Sequence, residues 1–73
     1  MREIRAFLDS DLFREAKPPE GWRGRAFQNP GGWLVLCEPR PNGAIAGEVR
    51  RPDGEPVLTS PSLDPYRLDE VLP

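Results

Sequence analysis

WLVLCEPRPNGAIAGEVRRPDGEPVLTS, residues 33–60, holds three extended runs separated by two corners. The first run, 33–38, is apolar on both faces, Trp33, Val35 and Cys37 alternating with Leu34 and Leu36, which suits a strand covered on two sides. It reads as the centre of a sheet. PRPNG follows, and its Asn42-Gly43 pair supplies the positive φ that a tight hairpin turn requires. In the next run, 44–50, Ile45 and Val49 share a face with Gly47 between them, and a glycine there signals a bulge or a close approach by another group. The second corner carries Arg50, Arg51, Asp53 and Glu55 but has a full local explanation. Pro52 sets the first position of a type I turn, Asp53 suits the next, and Gly54 takes the left-handed conformation that closes it. Charges in such a turn stay in water, where their pairing carries little energy. Pro56 lacks an amide hydrogen and pushes the last run, 56–60, toward a sheet edge.

Outward from this segment the signals weaken. WRGRAFQ, residues 22–28, alternates Trp22, Ala26 and Gln28 against Arg23, Arg25 and Phe27, a half-polar strand expected at an edge, and NPGG turns it into the central run. In the first sixteen residues Ile4, Phe7, Leu8, Leu12 and Ala16 follow a helical stripe. The rival reading is a strand at EIRAFL followed by a short helix capped by Ser10. Pro18 and Pro19 end the element in either case. In the tail, Asp64 can cap and Pro65 can open a short helix whose Leu68, Val71 and Leu72 form an apolar patch. Two turns of helix do not stand alone, so these residues must dock on the sheet. No internal repeat is expected.

A chain of 73 residues is one small domain, 1–73, with a thin core. Ten prolines and seven glycines imply short elements and many turns. The mean hydropathy of -0.60 and the lack of a long apolar run exclude a membrane span, and the charged N-terminus does not suit a signal peptide, so a cytoplasmic protein is expected. A single cysteine, Cys37, closes no internal disulfide and, without any histidine, joins no usual zinc set. It reads as a small buried apolar residue. The formal charge of -2 is uneven: 1–19 are neutral, 20–52 carry +2 and 53–73 carry -4. Such polarity can steer a charged partner and also describes an ordinary solvated surface.

The function classes follow from what these residues can do. Without histidine the common triads and dyads are gone, and the carboxylate pairs Asp9/Asp11, Asp53/Glu55 and Asp69/Glu70 fall in turns or solvated helix faces. Lys17 sits beside two prolines with nothing to desolvate it. PGGW leads into a strand where a phosphate cradle would lead into a helix, and DSD is too short for a calcium loop. No enzyme, no cofactor and no metal is expected. WRGRAF interleaves aromatics and arginines as single-strand-binding sheets do, and Arg23, Arg25, Arg50 and Arg51 could serve nucleic acid, but a pI near 5.0 weighs against it. Protein recognition is the better reading: Trp22, Arg23, Arg25, Trp33, Arg50 and Arg51 are interface anchors by type, with whichever tryptophan is not needed inside as the natural hot spot. An open edge strand could also accept another chain, a homodimer included.

VRRPDGEPVLTSP, residues 49–61, resembles a segment of a small actinobacterial domain family encoded beside helix-turn-helix regulators. The matching positions are Val49, Arg50, Pro52, Asp53, Gly54, Pro56, Val57, Leu58 and Pro61, within a segment that spans about a sixth of the chain. The resemblance implies an antitoxin-like partner of such a regulator. The family's tryptophan and serine-rich entry motif is absent from WRGRAF.

The expectation is therefore an α+β domain. A four-stranded antiparallel meander over 22–28, 33–38, 44–50 and 56–60 carries a helix near each terminus, with a curled small barrel as the alternative. The expected function is a non-enzymatic protein-binding module, a small inhibitor or regulator of a larger partner such as a phage or mobile element encodes.

Overall fold

The computed structural model describes Leu8 and residues 13–72. They form an antiparallel sheet of five strands, β1 (Arg14–Ala16), β2 (Arg25–Gln28), β3 (Leu34–Pro39), β4 (Ile45–Arg50) and β5 (Pro56–Ser60), followed by one helix, α1 (Pro65–Val71). The spatial order is the chain order, β1 to β5. The central run is thus the middle strand, as its two apolar faces require. The two edge strands are not paired with each other, so the sheet is open and the barrel alternative is set aside.

Three turns of one design build the meander. Pro-x-Gly follows a first residue at 29–32, 40–43 and 51–54, and Gly32, Gly43 and Gly54 have φ of 91°, 88° and 94°. In each, the glycine N–H donates to the first residue's carbonyl, at 3.0, 3.0 and 2.8 Å. The first residue's own N–H then donates to the carbonyl just past the glycine: Asn29 to Trp33, Arg40 to Ala44, Arg51 to Glu55. Asn42 and Asp53 also accept, through Oδ1, from the N–H of Ala44 and Glu55. The first two residues of PPEG (18–21) and the following positions repeat the pattern, with Gly21 at φ 89°. The four motifs begin at 18, 29, 40 and 51, every eleven residues, which corrects the expectation that the chain has no repeat. The first of them is bonded differently, Trp22 N–H to Pro19 carbonyl at 3.1 Å, and lies inside the longer connection 17–24.

The N-terminal part departs from the sequence reading. Leu8 is helical, but Ile4, Phe7 and Leu12 lie outside the described residues, and a helix running to Ala16 is ruled out because Arg14–Ala16 is β1. Pairing decides this against the local apolar spacing: Arg14, Glu15 and Ala16 stand opposite Gln28, Phe27 and Ala26. The Glu15 carboxylate meets Arg25, the diagonal neighbour on β2, as cross-strand pairs do. A fifth strand therefore joins the four expected, and β2 is interior where an edge was expected. β2 also begins at Arg25, not Trp22.

One face of the sheet holds the core. Leu8, Phe13, Val35, Cys37, Val49, Leu63 and Leu68 form a buried cluster against which Phe27, Trp33, Ile45, Val57, Leu58, Val71 and Leu72 pack. A β-bulge opposite Val49 and Arg50 lets the consecutive Val57 and Leu58 both face this cluster. Asp64 caps α1 by accepting from the Tyr66 N–H at 2.8 Å, Pro65 stands at its start, and Leu68 docks it. Gly47 is the close approach that its place in a strand suggested: a Cβ there would stand 2.3 Å from Leu63 Cδ1. On the other face Ala26, Leu36 and Ala46 are buried, so β3 is covered on both sides.

Candidate functional site

Strand register sorts the candidate residues into two groups at opposite ends of the sheet. At the end carrying the 40–43 turn, Arg25 stands opposite Cys37 on β3. The Trp22 Nε1–H donates to the Cys37 carbonyl at 3.3 Å, which holds the indole over the same stretch of β3. Exposed Arg23 lies between them, and exposed Arg40 opens the turn. The Leu63 N–H donates to the Ile45 carbonyl at 2.7 Å, and Ile45 stands opposite Pro39, so α1 starts at this end too. Its first turn presents Tyr66, 60% exposed, the exposed large hydrophobic side chain among the described residues.

Trp33, Arg50 and Arg51 belong to the other end, with the 29–32 and 51–54 turns. These two turns adjoin, since a Cβ on Gly32 would stand 3.2 Å from Pro52 Cβ. Trp33 is half-buried against the core cluster, and Trp22 is half-buried outside it. Of the two tryptophans, Trp33 is the one used inside.

The arginines do not form one surface. Arg25 pairs with Cys37 on the core side of the sheet, whereas Arg50 pairs with Leu34 on the opposite side. Arg25 is bound by both oxygens of Glu15, at 2.6 and 2.8 Å, and its guanidinium lies 5.3 Å from the Phe27 ring centroid. The Glu15 hydrogen bond, and then its charge, hold Arg25 above the ordinary arginine pKa. Arg50 Nε donates to Glu48 Oε2, and Glu48 also accepts from Thr59 Oγ1 at 3.3 Å. Arg40 lies 3.8 Å from Glu38. Arg23 and Arg51 are exposed.

Cys37 is buried, and burial pushes its thiol from the ordinary 9.0 up to about 11, against a smaller downward pull from Arg25. The sign of the pH effect follows. The thiol costs nothing below pH 9, and folding stability falls between pH 9 and about 11, where the unfolded chain ionises first. Alkylation by iodoacetamide at pH 7.5 should accordingly be slow in the native protein and at least about tenfold faster in denaturant. Equal rates in the two states would show an accessible, activated thiol.

A shallow groove of about 740 Å³ runs beside β1, lined by Phe13, Arg14, Glu15, Ala16, Gln28, Asn29 and Pro30. Among the described residues no group of three or more His, Cys, Asp or Glu could hold a metal ion, and no helix is long and apolar enough to cross a membrane.

Tyr66 escaped the sequence reading, although its position was legible. It lies two residues before Leu68, on the far side of the helix from the Leu68, Val71 and Leu72 patch. Comparison with protein-family models, curated proteins and solved structures found no match to this chain. Turn geometry accounts for the Pro-Asp-Gly of residues 52–54.

Proposed function

We propose that this chain is a cytoplasmic, non-enzymatic protein-binding module that blocks or adjusts a larger partner, of the kind phages and mobile elements encode. One observation carries the reading: Trp22, Arg23, Arg25, Arg40 and Tyr66 all lie toward the same end of the sheet. Tryptophan, tyrosine and arginine are the residue types that dominate binding energy at protein interfaces, because each offers a large contact area with a polar handle. The hydrogen bonds that close the 40–43 turn order Arg40 before binding and so lower the entropy lost on docking. Nucleic-acid binding through an arginine-rich face is the weaker alternative, since Arg25 and Arg50 face opposite sides of the sheet.

The test is affinity capture from host lysate on immobilised wild type and on Arg23→Glu/Tyr66→Ala, two exposed positions whose replacement leaves the core intact. A protein retained by the wild type should be lost by the variant, with affinity reduced about tenfold or more. Equal retention on both would remove this surface from the function. Salt-sensitive retention of an oligonucleotide, with no protein captured, would favour the nucleic-acid alternative.

A further inference from the structure

Among the described residues no strand pairs with the outer edge of β5, which is where another chain would extend this sheet, and the direction of each of its backbone amides follows from the hydrogen bonds. In an antiparallel pair, successive residues turn N–H and C=O alternately toward and away from the neighbouring strand. Arg51 N–H donates to the Glu55 carbonyl at 2.8 Å, so Glu55 faces β4 and the next residue faces outward. That residue is Pro56. Beyond the bulge, Leu58 stands opposite Val49 and Ser60 opposite Gly47. Arg51, Val49, Gly47 and Ile45 are alternate residues of one run, and the first and last of them bond toward β5 and its continuation: Arg51 to Glu55, Ile45 to Leu63. Leu58 and Ser60 therefore face inward, and Thr59 and the residue after Ser60 face outward. The latter is Pro61.

The outward positions thus read Pro56, Thr59, Pro61, and Thr59 alone has an N–H to offer. The bulge creates this pattern. In a regular strand the outward positions after Pro56 would be Leu58 and Ser60, both donors. β5 holds no charged residue, the other common guard of a sheet edge.

We infer that the β5 edge is closed to strand addition by two prolines brought into phase by the bulge, so that a second copy of this chain does not continue the sheet there. The inference is independent of the proposed binding end. It leaves a partner at β5 a single outward backbone donor, the Thr59 N–H.

Pro56→Thr/Pro61→Thr would place donors at all three outward positions. Sedimentation velocity and amide hydrogen exchange on wild type and variant test the idea. In the wild type the Thr59 amide should exchange without protection at every concentration. The double variant should self-associate at least about tenfold more strongly, with Thr59 protected as association proceeds. Concentration-dependent protection of Thr59 in the wild type would overturn the inference, as would a folded double variant with unchanged association. Pro61→Thr alone, outside the strand, is measured alongside. Should the double variant lose its circular-dichroism spectrum, the single one decides by the same two readouts.

Discussion

Gly24→Ala should destabilise the protein by about 3 kcal/mol, a large part of the roughly 4–11 kcal/mol that a domain of this size commands. A Cβ at Gly24 would stand 1.7 Å from the Cys37 carbonyl oxygen, 2.8 Å from its carbon and 3.0 Å from Glu38 Cα. All three atoms are backbone of the central strand. No side chain can swing away, so the added methyl must push the start of β2 off β3. The displacement would also break the Trp22 bond to the same carbonyl and disturb the proposed binding end. Urea denaturation followed by tryptophan fluorescence measures the loss. The control is Gly54→Ala, where a Cβ meets nothing within 4 Å and the backbone strain of φ 94° is the sole cost. If the two variants unfold at the same urea concentration, the tight crossing at Gly24 does not exist in solution.

Leu68→Ala should cost about 3 kcal/mol, within the range for deleting a fully buried leucine. Leu68 is 0% exposed and is the buried leucine of a helix of seven residues. So short a helix is unstable in isolation, and its capping by Asp64 contributes only about 1 kcal/mol. Without Leu68 to hold it, α1 should fray from the core face and expose the buried cluster to which Leu68 belongs. Denaturation midpoint and the circular-dichroism signal at 222 nm should fall together. A loss below about 1 kcal/mol would show that α1 is dispensable to the core. Tyr66→Ala, on the exposed side of the same helix, should leave stability within about 0.5 kcal/mol of wild type, which separates its proposed binding role from folding.

Much of the fold was legible because much of it rests on local chemistry. Pro52-Asp53-Gly54 specifies its turn, Asp64-Pro65 specifies a helix start, and the two apolar faces of WLVLCE specify a middle strand. The eleven-residue repeat was harder to see for a physical reason. An odd period in a meander flips each repeat position to the opposite face: Val35 lies on the core side, and Ala46, eleven residues on, on the other. Apolar patterns therefore differ from unit to unit, and only proline and glycine recur. β1 was hidden because Arg14–Ala16 has no strand character of its own and is extended by its partners on β2. At the candidate site, Trp22, Arg23 and Arg25 were legible as anchors by type, whereas their separation from Trp33, Arg50 and Arg51 was not.

By itself the sequence determined where the chain bends between β2 and β5, which four of the five strands extend and how the last helix begins, since each of these depends on a few neighbouring residues. Only the tertiary structure decided which arginines share a face, which tryptophan serves the core, and which amides of β5 look outward. Those depend on register counted across several strands and through a bulge, and a shift of one residue reverses every answer.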